Sequence, residues 1–527
     1  MKHFTFFLSF IITCLVNSFA QQRYVDEVFN QVQVTSNVTY GQNFTVFPIG
    51  IPVLQNLIMD IYEPVGDSLT ARPLIIYMHP GDFLPVLFNS SPTGDLHDSA
   101  VVEMCKQFAL RGYVVASIDY RIGWNPVAIG GDSIGQAIRT GTLLQAVYRG
   151  LQDAKTCVRY FRMDADTLGN TYKIDVNRIV VGGEGSAGYI ATAYATLNNP
   201  AELQLPKFIS PVNVPGYGFF AGQSYINQDS IGDFDGFGGS PLLNNPNWPG
   251  YSSNVNMVFD MEGDLGDSTW MEAGDVPMAS LHDVNNPLSP FLSDSASMPF
   301  IINVAGSHDF IRYANTLGNN DVLHITWTDP YSLRANDVNG GTPWEYEGLF
   351  PIVQPDPSLL ISGDPFHGQV SPWAWWDSTD LETLADAFGL SSGWADTIYQ
   401  AGLLLNPDMS KSKALRYIDT AQYYLSERIC RALGLCWGVG IGEVELYKDQ
   451  VNLFPNPAAT LAHLELANAS SHFLAIKIYN VEGRKVFDEE NLNQNYADIF
   501  CDQFGKGIFI IKVLTEKGIL IRKLVIE

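Results

Sequence analysis

The sequence predicts an α/β domain built around a mainly parallel sheet, followed by a small all-β module. Three observations carry this. From about residue 50, nearly continuous apolar runs alternate with segments whose apolar residues recur every three or four positions. In "RIVVGGEGSAGYIATAYA", residues 178–195, a buried-strand pattern stops at paired glycines and a small-residue helix pattern follows. After residue 450 the helical spacing gives way to short alternating strands separated by turns such as Glu482-Gly483 and Lys517-Gly518.

The chain begins as a secretory signal begins. Lys2 supplies the positive end, Phe4 to Val16 the apolar stretch, and Ser18 and Ala20 the small residues before a cut after residue 20. That stretch is too short to span a bilayer, and no later segment is apolar for long enough. Strand patterns follow in "NLIMDIYEP", in "PLIIYMHP" and in "YVVASIDYR". The second of these reads as a parallel strand buried on both faces. Helices are expected in "AVVEMCKQFALRGY", which Gly112 stops, and in "TLLQAVYRGLQDAKTCVRYFR". Beyond the opening stretch, further strands are expected in "VNMVFDM", "PMASLH" and "VLHITW". Residues 228–256 and 328–376 read as irregular excursions, and 410–434 as a helix capped by Ser410 and stopped by Gly434.

Composition narrows the function. Hydrophobic residues at 46% exclude a disordered chain, and 527 residues call for more than one domain. The net charge of -26 leaves no basic patch to displace counterions, so nucleic acid is excluded as a partner. Five cysteines survive removal of the signal. Export permits disulfides, Cys430 and Cys436 form the closest pair, and Cys105 and Cys157 read as buried thiols. Asp229, Asp233 and Asp235 lack the spacing of a calcium loop and read as a solvated acidic loop.

Two resemblances add to this reading. Residues 451–527, with "FPNP", "IYNVEGRKV" and "GIFIIKV...IRKLVIE", resemble the C-terminal sorting domain of the type IX secretion system. This implies export across an outer membrane, with the secretion machinery as a partner. The order of motifs over residues 50–330 resembles the esterase and lipase branch of the α/β-hydrolase fold. The expected layout is a signal at 1–20, an α/β-hydrolase domain at 21–440, a linker at 441–450 and the sorting domain at 451–527.

The second resemblance implies acyl transfer to water through a nucleophile, a base, an orienting acid and amide donors for the oxyanion. Ser186 is the candidate nucleophile. Its neighbours two places away should be small; Gly188 is, whereas Glu184 is not. In "HPGDF" the amides of Gly81 and Asp82 are candidate oxyanion donors, joined by Ala187, and His79 reads as a residue that fixes the loop. The family's acid turn falls on "PMASLHDVNNPLSPF", where Asn286 stands at the acid position. Asp283 on the same strand, or Asp264 after the preceding one, is the candidate substitute. Asp309 reads as a first-turn helix residue. His367 is the candidate base, as the last histidine before the sorting domain.

The leading expectation is therefore a secreted hydrolase of carboxylic esters, with an ester as substrate and no metal or organic cofactor. The alternative is an exported binding protein that keeps the scaffold without the chemistry.

Overall fold

The computed structural model describes residues 22–46, 50–86, 88–89, 91–128, 132–295, 302–342, 344–353, 369–436, 451–466, 472–480, 485–515 and 518–527. The signal at 1–20, the linker at 441–450 and His367 lie outside the described residues. Two compact units divide the chain, Met1–Cys436 and Trp437–Glu527.

An antiparallel pair, β1 (Val32–Thr45) and β2 (Val53–Pro64), opens the large unit. Its register shifts between Thr35 and Val38 and again between Thr39 and Gly41, so β1 is bulged twice. There follow β3 (Arg72–Met78), α1 (Ser99–Leu110), β4 (Val114–Ile118), α2 (Ser133–Thr167), β5 (Ile174–Glu184) and α3 (Ser186–Thr196). A single turn of helix, α4 (Gln228–Ile231), precedes β6 (Met257–Met261) and β7 (Met278–Asp283). A two-residue ladder pairs β8 (Asp294–Ser295) with β9 (Asn303–Val304). The unit closes with α5 (Ser307–Thr316), α6 (Pro330–Asn339), β10 (Leu349–Ile352), α7 (Ser378–Ala387), α8 (Ser392–Leu405) and α9 (Lys411–Ala432).

Eight strands form one sheet in the order β1-β2-β4-β3-β5-β6-β7-β10, parallel from β4 onward. This order, with helices on both faces, is the α/β-hydrolase fold. Side-chain alternation on β3 shows how the layers are held. Leu74, Ile76 and Met78 enter a core with Leu151, Val158 and Ile190 of α2 and α3. Ile75 and Tyr77 point the other way, toward Met104 and Phe108 of α1 and Ile418 and Leu425 of α9. Both faces are covered, which is why the strand reads as an unbroken apolar run.

Ser410 caps α9 as expected, its hydroxyl accepting the Lys413 N–H. Ile418, Leu425 and Ile429 are fully buried against Met257, Phe259 and Leu281 of the sheet, and Leu415 is half-buried. Leu425→Ala is therefore expected to cost about 2–5 kcal/mol in a denaturant titration. A loss under about 0.5 kcal/mol would place the helix at the surface.

Two expectations need correction. Residues 322–327 are not a strand: Asp321–Leu323 is a turn of 3-10 helix, and Trp327 is held by its indole N–H on the Glu347 carboxylate at 2.7 Å. The last strand is β10, inside the segment expected to be irregular, where Leu349 to Ile352 pair in parallel with β7. Its four residues include Pro351, too short and too unlike a strand for periodicity to show. β1 also escaped the pattern, because its run of Thr, Ser, Asn and Gln is largely exposed.

Cys430 and Cys436 are joined as a disulfide, and Cys105 and Cys157 are buried free thiols. The Asp229–Asp235 loop is less solvated than expected: Asp235 pairs with Arg159 and Lys155, and Asp233 accepts the N–H groups of Asp235 and Phe237.

The small unit pairs two antiparallel sheets. One runs β11 (Val451–Phe454), β12 (Leu461–Leu466), β15 (Tyr496–Phe500), and the other β14 (Lys485–Gln494), β13 (Phe473–Asn480), β16 (Gly507–Thr515), β17 (Gly518–Ile526). Leu464, Ile476, Ile478, Val513 and Leu524 meet between them as the core of a sandwich.

Candidate active site

The turn from β5 to α3 is crowded, and the crowding fixes which residue stands at its apex. Gly185 alone in this turn takes a positive φ, at 55° with ψ −121°, a conformation that strains any residue with a Cβ. Its N–H donates to the Met261 carbonyl at 2.8 Å, and its own carbonyl accepts the Gly188 N–H at 2.9 Å. A Cβ on Gly183 would sit 2.1 Å from the Ala187 carbonyl oxygen. The small residues flanking the apex are thus Gly183 and Ala187, two before and two after Gly185. Counted from Gly185 the elbow spacing holds; counted from Ser186 it does not. Glu184, the misfit in the sequence, is simply the residue between.

Ser186 is the first residue of α3. Its Oγ accepts the Asp82 N–H at 3.0 Å and lies 3.5 Å from the Tyr120 hydroxyl. The expected donor set shifts accordingly. Counted from Gly185, the residue after the apex is Ser186 and Ala187 lies one place further on; counted from Ser186, the residue after it is Ala187. The facing loop is held open by three successive residues at positive φ, Gly81, Asp82 and Phe83. Burial raises the Asp82 carboxyl to about 6. His79 stacks on Tyr120 with ring centroids 4.6 Å apart, its Nδ1 2.6 Å from the Pro80 carbonyl and its Nε2 3.5 Å from Asp119. Burial opposes its charge, but Asp119 leaves its pKa raised. It fixes the loop.

Among the described residues the candidate acids are held by groups other than imidazoles. Asp264 is fully buried, its Oδ2 accepting the Tyr189 hydroxyl at 2.9 Å and the Ser289 hydroxyl at 2.6 Å. Asp283 accepts the Asn285 N–H at 3.0 Å and the Gln369 amide at 2.7 Å. Asn286 accepts the N–H groups of Leu288 and Ser289, which pins the turn after β7. Asp309 sits in the first turn of α5, as expected. Among the described residues of this unit, no histidine is hydrogen-bonded to Ser186, Asp264 or Asp283. Gln369, following β10, is the side chain that the Asp283 carboxylate holds.

Above the turn lies a cavity of about 460 Å³ whose lining includes Ser186, Asp98, Glu184, Glu262, Trp375 and Trp376. Glu184 is buried and fully engaged, by the Trp373 indole N–H at 2.7 Å and the Tyr77 hydroxyl at 3.0 Å. Burial pushes its carboxyl up to about 7, and that of Asp98 likewise to about 7.

Burial raises Asp264 from 3.8 to about 8. Between those values the folded chain holds a proton that the unfolded chain has released, so stability falls as pH rises through that window. Glu184 and Asp98 act with the same sign. Melting temperatures taken from pH 4 to 8 are expected to decline less steeply in Asp264→Asn than in wild type, and equal slopes would mean that Asp264 titrates normally.

The comparisons with known proteins concern the two units separately. Residues 452–527 match the secretion system C-terminal sorting domain. The sorting domain marks the chain for export, to the cell surface or beyond. No curated protein matches the chain in sequence. Among solved structures, the propionate-bound thermophilic esterase of Thermogutta terrifontis is 14% identical, covering 72% of this chain and 96% of that one, with a TM-score of 0.32. Its native form is 14% identical, over 73% and 98%, with a TM-score of 0.31. The paraoxon-phosphorylated form of esterase 2 from that organism is 17% identical, over 49% and 73%, with a TM-score of 0.27. The fold itself rests on the strand order. Gly185 at the apex was open to recognition from the sequence by counting from Gly183 to Ala187; nothing in the sequence marked Gln369.

Proposed function

We propose that this chain is an exported binding protein that uses an α/β-hydrolase scaffold to hold a small ligand in the cleft above the β5–α3 turn, without turning it over. Residues 1–20 act as its signal, 21–440 as the binding domain, 441–450 as a linker and 451–527 as the sorting domain that meets the type IX machinery. The single observation that carries this reading is Gly185 at the apex, where a nucleophile would need a side chain. Gln369 beside Asp283 supports it.

A second reading keeps the chemistry. In it Ser186 attacks a carboxylic ester, His367 takes its proton, Asp264 or Asp283 orients the imidazole, and Gly81, Asp82 and Ala187 hold the oxyanion. The observation in its favour is the Ser186 hydroxyl, which lines the cleft within 3.0 Å of an oxyanion-loop amide. A fluorophosphonate probe with intact-mass readout separates the two. The binding reading expects no adduct and no turnover of a short-chain aryl ester above a Ser186→Ala control. An adduct that Ser186→Ala abolishes would replace it with the hydrolase.

A further inference from the structure

The cleft has a charge pattern that ester hydrolysis does not ask for. Four carboxylates line it, those of Asp82, Asp98, Glu184 and Glu262. Among the described residues no Lys, Arg or His lines it. Of the basic groups behind the lining, His79 is committed to Asp119, and Lys413 donates to the Asn406 side chain at 2.6 Å and the Pro407 carbonyl at 2.5 Å. Two of the carboxylates are accounted for within the fold. Glu184 ties the loop after β10 to the sheet through Trp373, and Asp98 accepts the Gly94 N–H at 2.7 Å.

Glu262 is different. It is 2% exposed and stands at a positive φ of 61° directly after β6. Its Oε2 accepts the Ser371 N–H at 2.8 Å and hydroxyl at 3.1 Å, but its Oε1 is buried with no partner among the described residues. A buried carboxylate oxygen without a donor is costly, and the native state retains it at the wall of a cavity. The same lining includes four tryptophans, with Trp375 and Trp376 close in sequence to Ser371 and Trp124 and Trp270 from elsewhere in the chain. An unpartnered acceptor, carboxyl groups that no basic side chain in the lining opposes and several indole rings together match one ligand chemistry. Indole faces attract a cation through the ring quadrupole, and a carboxylate supplies its counter-charge. Burial and the charge of Asp283 hold Glu262 well above the usual carboxylate range in the empty cleft, which an ammonium ion at contact would reverse.

We infer that the cleft is built to take an organic cation, an ammonium group carried on an apolar body, with Glu262 as its counter-ion and tryptophan faces as its walls. This rests on the binding reading above and names its ligand class.

The test uses the mature full-length chain and three probes of one shape: benzyltrimethylammonium, its neutral isostere neopentylbenzene, and the anion phenylacetate. Binding is followed by tryptophan fluorescence and calorimetry at about 0.15 M salt, so that diffuse attraction to the acidic surface is screened. The expected result is one site per chain, with the ammonium bound about tenfold or more tighter than the isostere and phenylacetate excluded. Glu262→Gln is expected to erase the difference between ammonium and isostere while leaving isostere affinity in place. Should that variant fail to fold, Asp98→Asn is expected to narrow the same difference. An isostere bound as tightly as the ammonium would overturn the cation inference and leave the binding reading standing. Failure of all three probes, with a fluorophosphonate adduct on Ser186, would overturn both.

Discussion

A chain carrying Gly185→Ser and Gln369→His together is expected to gain ester turnover of about a hundredfold or more over wild type. The geometry gives the reason. By its spacing and its backbone conformation the apex is the position from which an elbow presents a nucleophile, and Gly185 leaves it without a side chain. Asp283 already grips the side chain at position 369 from 2.7 Å, so an imidazole there would meet an orienting carboxylate. Gly81, Asp82 and Ser186 line the same space, and the Asp82 N–H donates to the Ser186 hydroxyl at 3.0 Å. The change carries a cost: a Cβ at Gly185 would come within 3.2 Å of the Pro80 Cβ, in a backbone conformation worth about 1–3 kcal/mol of strain. A melting curve and a fluorophosphonate adduct dependent on both substitutions are the readouts. Either single variant should stay near wild-type turnover, since a nucleophile without a base, or the reverse, does little. If the double variant folds and remains inert, the apex and the acid are not in one site and the assignment of Gln369 fails.

Glu347→Ala is expected to destabilise the large unit by about 3–5 kcal/mol, measured by urea or guanidinium unfolding. Glu347 accepts the Arg428 Nε–H at 2.8 Å, with both side chains 1% exposed, and also holds the Trp327 indole. Arg428 lies between Trp327 and Tyr424, 4.3 and 3.4 Å from their ring centroids. Removing the carboxylate strands a guanidinium inside α9, out of reach of water. A loss of less than about 1 kcal/mol would indicate that the pair behaves as a surface one.

Most of the fold was legible in the sequence because burial on two faces writes itself as unbroken apolar runs. β3, β4, β6 and β7 all announce themselves that way. The strands that were missed are those that burial does not write: β1, largely polar and exposed, and β10, four residues long with a proline inside. The candidate base His367 does follow β10 in the chain, but it lies outside the described residues. At the site, Ser186 drew the eye because a hydroxyl in a turn is a chemical signal. The backbone conformation that selects the apex is not, and the close approach of Gly183 to the Ala187 carbonyl, which leaves no room for a Cβ, supports the register counted from Gly183 to Ala187. Gln369 gave no signal at all. Its meaning comes from Asp283, which is 86 residues away in sequence and in contact in space.

The two outer strands of the main sheet bear on how the protein behaves in a crowd. An open strand edge offers unpaired amides and carbonyls that a second copy can zip onto. On β1 the paired bulges twist that edge out of line, and on β10 the run is four residues long with Pro351 withholding a donor. Neither border offers a straight template for another chain's backbone. An exported protein gains from this: neither of these borders gives neighbouring copies a straight strand edge along which to join into fibres.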